Sequence, residues 1–356
     1  MLETERELIS RWYRQNHRQL PWRQTKDAYK IWVSEIILQQ TRVQQGLPYY
    51  QRFITRFPDV ASLASAAEQD ILHLWQGLGY YSRARNMHAA AKEIMEKHHG
   101  KFPDTYQEIR NLKGIGDYTA AAIASFAFGL PYVAVDGNVL RVISRLSEIE
   151  EDINLGKTKK LITQIAREMM GDSDPALFNQ SMMEFGALQC VAKNPQCDDC
   201  PLRDQCKAYI ANKVHLLPLK INKTKVRNRY IDYLIFQNEK HTFIKRRGKE
   251  DIWEGLYDFP SLEHTASLNE TELLQHLRKQ FLLPGEIHIA HRSGEIRHRL
   301  SHQLLHIHFN IIEGLPDSID KSWIQVRFEQ LSDFPFPEII NKYKTKNNLF
   351  KLKDIK

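Results

Sequence analysis

Residues 190–206 read Cys190-Val-Ala-Lys-Asn-Pro-Gln-Cys197-Asp-Asp-Cys200-Pro-Leu-Arg-Asp-Gln-Cys206, and this stretch holds all four cysteines of the 356-residue chain. The spacing is C-x6-C-x2-C-x5-C, and an apolar segment with helical periodicity precedes it. Four thiolates so close together make a sulfur-only site, which suits an iron–sulfur cluster or zinc. Structural zinc usually draws on two C-x2-4-C pairs, and only one pair here has that form. The spacing therefore favours a cluster, with zinc as the alternative. Disulfides are disfavoured because no secretory signal precedes the cysteines.

The composition is that of a globular chain with a basic balance. Hydrophobic residues make up 42% of it and the formal net charge is +7. The length allows two domains with separate cores, and the charge favours a polyanionic partner, nucleic acid first. The acidic start is no signal peptide, and the longest charge-free run is interrupted by Gly129 and Pro131. We therefore expect a cytoplasmic protein with no membrane contact.

The hydrophobic pattern changes along the chain. In the first part of the chain, apolar residues recur at helical spacing, as in Leu8, Ile9 and Trp12. A basic stretch without apolar periodicity comes next, and after it the hydrophobic residues alternate as they do in strands. We predict four segments: an all-α domain at 1–213, a linker at 214–229, an α+β domain at 230–345 and a basic tail at 346–356. In the α+β segment, residues 230–236 predict a strand and residues 242–245 its hairpin partner.

A glycine-containing turn, Leu112-Lys-Gly114-Ile-Gly116-Asp-Tyr118-Thr-Ala120, precedes a helix of small residues. Glycine permits a tight turn and lets backbone N–H groups face outward at a helix N-terminus. Such a turn binds a phosphate without reading sequence. The G-x-G pattern alone is weak, and a plain helix–helix turn is the alternative.

Two carboxyl groups lie in contrasting sequence environments. Apolar residues flank Glu35, so burial should raise its pKa, whereas Asp136 stands at a predicted helix N-cap, where its anion should be favoured and its pKa depressed. Each has a plain alternative, namely a helix glutamate paired with arginine and a simple cap. As a pair they suit cleavage of a glycosidic bond, in which one group donates a proton and the other faces the developing cation. A base inside a duplex would first have to be flipped out.

Taken together, these motifs resemble the endonuclease III superfamily of helix-hairpin-helix DNA glycosylases, and within it the adenine DNA glycosylases. The segments that carry the resemblance are Leu20–Arg23, Ser34–Thr41, Gly77–Arg85 and Val135–Arg141. The resemblance spans nearly the whole chain. It implies an N-terminal all-α glycosylase fold with a [4Fe-4S] cluster on Cys190, Cys197, Cys200 and Cys206, and a C-terminal α+β Nudix-like domain. It also implies a bacterial, nucleoid-associated monomer that acts on double-stranded DNA and removes adenine opposite 8-oxoguanine or guanine.

The resemblance implies roles for individual residues. Glu35 matches the acid that protonates adenine at N7, Asp136 the carboxylate that stabilises the oxocarbenium ion, and Asn138 a residue that orients Asp136. Tyr118 stands where bifunctional relatives carry a Schiff-base lysine, and a phenol cannot form an imine, so a monofunctional enzyme is implied. The other implied contacts to substrate or DNA are Gln180 at the adenine, Trp22 and Arg23 in the pocket wall, Gln40, Thr41 and Tyr80 at the duplex, Gly114 and Gly116 at a phosphate, and Ser301 and His302 at 8-oxoguanine.

The segment Trp253–Pro260 resembles the Nudix-like domain of the same family. Nudix hydrolases hold magnesium with a glutamate ladder, R-E-x-x-E-E, which the predicted helix at 270–281 lacks, so we expect binding and not hydrolysis. The stretch His298–His308 resembles the family's recognition loop, with Leu300 in place of the usual phenylalanine. Strand alternation with polar residues outward, or an incidental metal site, is the alternative there. A non-catalytic DNA-binding protein and a Nudix pyrophosphohydrolase are the competing function classes.

Overall fold

The computed structural model describes residues 4–221, 226–238, 240–249, 251–281, 288–313 and 319–347. The chain divides into two compact units. One comprises Met1–Ser65 and Asn86–Asn222, and the other comprises Ala66–Arg85 and Lys223–Lys356. The predicted tail lies outside the described residues from position 348 onward, as do positions 222–225 of the predicted linker. The four-segment division stays a prediction.

The first unit is helical, as predicted. Its described helices are α1 (Glu5–Asn16), α2 (Ala28–Leu38), α3 (Val43–Arg56), α4 (Val60–Ser65), most of α6 (Ser82–Lys97), α7 (Tyr106–Asn111), α8 (Asp117–Phe128), α9 (Gly137–Leu146), α10 (Gly156–Met170), α11 (Pro175–Leu188) and α12 (Lys207–Ile210), while α5 (Glu68–Leu74) belongs to the second unit. None of the helices in the described ranges is both long and apolar enough to cross a membrane.

Aspartates fix where three helices of the first unit begin. The side chains of Asp27, Asp136 and Asp174 each accept hydrogen bonds from backbone N–H groups of the following first turn, in α2, α9 and α11. This satisfies donors that have no partner within the helix. The caps thereby fix which residues of each helix face the interior of the unit.

Two glycines allow close approach of helices. Gly114, in the turn between α7 and α8, has φ +81°, and a Cβ there would lie 2.7 Å from Cβ of Asn86. On α11, a Cβ at Gly186 would lie 2.6 Å from Cβ of Asn138. Any larger residue at either position would force the two segments apart. The start of α9, which carries Asp136 and Asn138, is therefore held against α11 by the absence of a side chain.

The described residues of the second unit form two sheets and, besides α5, two α-helices. Its elements are β1 (Arg227–Gln237), β2 (His241–Arg246), β3 (Tyr257–Asp258), β4 (Ser261–His264), α13 (Glu270–Phe281), β5 (His288–Arg292), β6 (Ile296–Arg299), β7 (Gln303–Glu313), β8 (Trp323–Arg327) and α14 (Glu338–Lys346). One sheet has the order β4-β1-β7-β5 with β6 also paired to β7, and the other has the order β3-β2-β8. The α+β prediction is confirmed.

The predicted hairpin between residues 230–236 and 242–245 is wrong. Among the residues that the structure describes here, an isolated bridge pairs Asn238 with His241, and β2 then belongs to the other sheet, where it pairs with β3 and β8. Instead, β1 pairs in parallel with β7 and antiparallel with β4. Residues 231–236 are buried on both faces, which is typical of a central strand that needs a partner on each side. Distant strands supply those partners.

The segment 66–85 packs within the second unit. The Gln76 side-chain amide donates to the Phe336 carbonyl at 3.1 Å, and Arg85 pairs with the Glu254 carboxylate at 2.9 Å. On α5, Leu72 is fully buried, and so is Trp75 just beyond it. This segment is therefore a structural part of the C-terminal unit although it lies early in the chain.

Candidate active site

A cavity of about 1290 Å³ opens in the first unit. It is lined by every residue of this unit for which a role at substrate or DNA is predicted: Trp22, Arg23, Glu35, Gln40, Thr41, Gly114, Gly116, Tyr118, Asp136, Asn138 and Gln180. These residues come from separate helices and turns along the chain. The fold therefore gathers them at one place that is large enough for a nucleoside.

Glu35 lies on α2 and is only 6% exposed. Burial raises the pKa of its carboxyl group to about 7, and the charge of Asp136 adds to this rise, while a hydrogen bond from Tyr118 and the charge of Arg23 oppose it. At neutral pH a large fraction of Glu35 is therefore protonated. The predicted rise of its pKa is confirmed, and the group can act as a proton donor.

Tyr118 stands in the first turn of α8 and faces Glu35. Its hydroxyl donates a hydrogen bond to Oε2 of Glu35 at 2.6 Å. Burial, followed by the charge of Glu35, raises the pKa of the phenol well above its ordinary value, so the phenol stays neutral. Tyr118 is thus a hydrogen-bond donor that orients the acid.

Asp136 is the N-cap of α9 and accepts three hydrogen bonds. The donors are the backbone N–H groups of Asn138 and Val139, at 2.9 and 2.8 Å, and the side-chain amide of Asn138 at 2.6 Å. The predicted depression of its pKa is wrong, because burial outweighs these bonds and raises the pKa. The three donors and the nearby Arg141 nevertheless stabilise the anion specifically. Glu35, by contrast, accepts one hydrogen bond from a neutral phenol.

Glu184, which the sequence analysis missed, anchors one wall of the cavity. Its carboxylate accepts bonds from Arg18 Nε at 2.8 Å and from Arg23 Nη2 at 2.7 Å. Burial alone would raise its pKa, but the hydrogen bonds from the two arginines bring the pKa to about 2. The charged carboxylate therefore fixes Arg23 beside the cavity. Its position four residues after Gln180 on α11 was the available signal, because residues four apart share a helix face.

The predicted adenine contact, Gln180, is also held in place. The hydroxyl of Tyr13 donates to Oε1 of Gln180 at 2.9 Å. Arg23 lies over the ring of the same tyrosine, 5.7 Å from its centroid. Gln40, two residues beyond the end of α2, has φ 56°, a left-handed conformation that is uncommon for residues other than glycine. The cavity is thus lined by side chains and backbone that the surrounding structure holds in defined positions.

Two arginines of α9 bind the cysteine loop. Arg141 donates to Oδ1 of Asn138 at 2.9 Å and to the carbonyl oxygen of Cys190 at 2.8 Å. One turn later, buried Arg145 donates to the carbonyl oxygens of Val191, at 2.7 Å, and of Ala192, at 3.1 Å. The helix that presents Asp136 at its N-terminus therefore supports the cysteine loop along its length.

The four cysteines fit an iron–sulfur cluster. All are free and half-buried, and Nη1 of Arg145 lies 3.3 Å from Sγ of Cys190, where a positive charge favours a thiolate. Burial raises the pKa of the Cys200 thiol to about 12, and a hydrogen bond from the backbone N–H of Leu202 opposes this rise. Burial also raises the pKa of Cys206, and hydrogen bonds from backbone N–H groups oppose that rise as well. Such N–H groups and a cation are the surroundings that stabilise sulfur ligands once metal displaces their protons.

The recognition-loop residues lie in the second unit. Leu300 N–H donates to the Gln303 carbonyl at 2.8 Å, which closes a turn between β6 and β7, and Ser301 and His302 are exposed within it. The hydroxyl groups of Tyr80 and Ser301 share a short hydrogen bond. Tyr80 is 45% exposed and has φ 49°. The unit therefore presents Tyr80, Ser301 and His302 together at its surface.

The fold and the site define a class, the helix-hairpin-helix enzymes of base excision repair. Residues 33–170 match the HhH-GPD superfamily base excision DNA repair protein family, residues 190–206 match the iron–sulfur binding domain of endonuclease III, and residues 233–346 match the NUDIX domain. The adenine DNA glycosylase of Buchnera aphidicola subsp. Baizongia pistaciae is 36% identical over 349 residues, which are 95% of this chain and 96% of that protein.

The chain belongs to the adenine DNA glycosylase family. It is a hydrolase of N-glycosyl bonds in base excision repair, and its cofactor is a [4Fe-4S] cluster at the four cysteines.

Two solved structures share the fold of the first unit. A thermostable thymine-DNA glycosylase is 26% identical, with a TM-score of 0.53, and the match covers 58% of this chain and 95% of that one. A non-covalent endonuclease III–DNA complex is 20% identical, with a TM-score of 0.51, and the match covers 60% of this chain and 99% of that one.

Proposed function

We propose that this adenine DNA glycosylase binds duplex DNA, extrudes an adenine paired with 8-oxoguanine or guanine into the cavity of the first unit, and hydrolyses its glycosidic bond. The observation that carries the proposal is the pairing of Glu35 and Asp136 on one cavity in unlike environments. Glu35 has a pKa of about 7 and a neutral hydrogen-bond donor, whereas three N–H donors face Asp136. One group can give a proton while the other remains an anion.

The reaction follows from these positions. Glu35 donates its proton to N7 of the extruded adenine, which makes the base a better leaving group. The C1′–N9 bond then breaks, its electron pair stays with adenine, and the sugar becomes an oxocarbenium ion that the Asp136 carboxylate stabilises. Water adds to C1′ and loses a proton, which restores the acid form of Glu35. The products are free adenine and an abasic site in an intact strand.

Strand cleavage is not expected. The side chain at the start of α8 that faces the acid is Tyr118, and its phenol cannot form an imine with the abasic sugar. We infer that the enzyme is monofunctional, and that Gly114 and Gly116 in the turn before α8 leave backbone N–H groups open to a DNA phosphate.

The second unit is proposed to read the base opposite adenine. Ser301 and His302 are exposed in a turn that backbone hydrogen bonds hold closed, and they can present a hydroxyl and an imidazole to 8-oxoguanine. Nudix hydrolysis is the less supported activity. The Glu272 carboxylate accepts a hydrogen bond from the Asn269 N–H at 2.8 Å, so it serves as a helix cap.

The test uses a duplex with one adenine opposite 8-oxoguanine, treated with enzyme and then with alkali. We expect a strand break at that adenine with the wild type. Glu35→Gln and Asp136→Asn should bind the duplex and lose several powers of ten in single-turnover rate, on the order of the losses seen when charge stabilisation is removed. Unchanged rates in both variants would contradict the roles given to Glu35 and Asp136, and the absence of a strand break with the wild type would favour a non-catalytic binding protein. Borohydride trapping should give no covalent complex, and efficient crosslinking would exclude the role given to Tyr118.

Recognition of the opposite base has its own test. Ser301→Ala combined with His302→Ala should reduce the preference for 8-oxoguanine over guanine opposite adenine by about tenfold or more, because each lost base contact costs about 1–3 kcal/mol. His291→Ala, an exposed histidine on β5, is the matched control. An unchanged preference in the double variant would show that the turn does not read the base.

A further inference from the structure

The cavity extends beyond the paired carboxylates to α10. Leu140, Met183 and Ala187 line the same cavity as Asp136 and supply apolar side chains to it. On α10, the cavity lining includes Lys159, Thr163 and Arg167. None of these residues has a part in the hydrolysis described above. The presence of Lys159 and Arg167 in the cavity lining therefore remains to be explained.

The three residues of α10 form one stripe along the helix. They are four residues apart, so they lie on one face, and all three are exposed. The hydroxyl of Thr163 donates back to the Lys159 carbonyl oxygen at 2.8 Å, so its polar group is already satisfied. The two cations, which we call the α10 cation pair, are thus the chemically active members of the stripe.

The α10 cation pair is not neutralised by carboxylates. Within the parts of the chain that the structure describes, neither Lys159 nor Arg167 forms an ion pair. The acidic residue next to Arg167, Glu168, accepts a hydrogen bond from the Gln164 side chain at 2.9 Å on another face of the helix. Two uncompensated cations at the edge of a cavity attract a polyanion.

The spacing of the pair matches a nucleic acid backbone. Eight residues of α-helix separate Lys159 from Arg167, which corresponds to about 12 Å along the helix axis. One strand of a duplex carries a charge about every 3.4 Å along its axis, so this distance spans about three to four phosphates. A strand beside the cavity can therefore meet both cations at once.

We infer that the α10 cation pair binds two phosphates of the DNA strand beside the extruded nucleotide. The inference rests on the proposed function, since it needs a nucleotide in the cavity. The contact is electrostatic and independent of base sequence. It strengthens DNA binding and leaves the chemical step unchanged.

The test compares Lys159→Gln/Arg167→Gln with a control that has the same charge change, Lys92→Gln/Lys157→Gln, both exposed lysines outside the cavity lining. Each full-length protein is titrated with a duplex containing 8-oxoguanine opposite a 2′-fluoro analogue of the adenosine, which slows loss of the base. The salt concentration runs from about 50 to 200 mM. The single-turnover rate at saturating enzyme is measured on the unmodified duplex.

In the α10 variant, the slope of log affinity against log salt concentration should be smaller in magnitude by about two than in the wild type. Each phosphate contact contributes roughly 0.9 to this slope, and the variant lacks two contacts. Its saturating rate should stay within about twofold of the wild type, and the control should keep the wild-type slope. Equal slopes in the two variants would overturn the inference, and so would a large loss of saturating rate at an unchanged slope. A wild type that excises no adenine would instead refute the proposed function, so the two failures are distinguishable.

Discussion

The hydrogen bond from Tyr118 opposes the larger effect of burial on the pKa of Glu35. The acid form of Glu35 is the proposed catalyst, and its pKa is about 7, so the single-turnover rate should fall about tenfold per unit as the pH rises above 7. The hydrogen bond from Tyr118 favours the Glu35 anion and thus lowers this pKa. Tyr118→Phe should therefore move the alkaline limb of the pH profile to higher pH. A limb that stays in place would show that the bond does not set the acidity.

The raised pKa of Glu35 also has a cost in stability. Between the ordinary value of 4.5 and about 7 the native state binds more protons than the unfolded state, so the free energy of unfolding falls as pH rises through this window. The loss is at most about 3 kcal/mol above pH 7. Glu35→Gln should therefore raise the thermal midpoint at pH 8 and change it little at pH 4, as measured by circular dichroism. Glu151→Gln, at an exposed position, is the control. An equal effect at both pH values would contradict the burial argument.

At the scale of elements, the contact between α9 and α11 positions the candidate site. Gly186→Ala places a methyl group 2.6 Å from Cβ of Asn138, and the helices must separate to admit it. We expect a loss of about 1–3 kcal/mol in stability and a lower excision rate, since Asn138 holds Asp136. Gly156→Ala on α10, where a Cβ meets open space, should be neutral or slightly stabilising. The free energy of unfolding of both variants is measured in urea. An equal change for Gly186→Ala and Gly156→Ala would refute the packing argument.

Elements with local signals could be predicted from the sequence, and non-local pairings could not. The helix cap at Asp136 and the apolar flanks of Glu35 are local patterns. Asp136 does begin a helix, and both residues line one cavity. The partners of β1 are β4 and β7, and Arg227 of β1 pairs with Gln303 of β7, whereas turn residues close by in sequence suggested β2. Nearness in sequence was therefore misleading for the sheet.

Burial explains the other differences. The pKa of Asp136 rises because neighbouring helices exclude water from its carboxylate, and no local pattern records that packing. Glu184 was missed for the same reason, since its importance comes from Arg18 and Arg23, more than 160 positions away. Sequence patterns thus indicated which groups are present, and tertiary packing decided their charge and partners.

At the scale of the whole molecule, the cluster is expected to stabilise the first unit. Cys197→Ser removes one of the four sulfur ligands and should abolish the visible absorption of the cluster and lower the thermal midpoint. Weaker DNA binding should follow as a consequence, because α9 supports the cysteine loop through Arg141 and Arg145. Ser301→Ala, which should retain the full spectrum, is the control. Normal stability without the absorption band would show that the cluster has no structural role.

Because residues 66–85 belong to the C-terminal unit, this unit cannot be exchanged with that of a relative as one continuous stretch of sequence. The polypeptide passes between the two units at three junctions, after positions 65, 85 and 222. A chimaera made by swapping only the sequence after position 222 would leave Leu72 and Trp75 against a foreign surface. An exchangeable cassette would have to include both stretches of chain, so that the proposed recognition turn of a relative arrives together with the residue that corresponds to Tyr80.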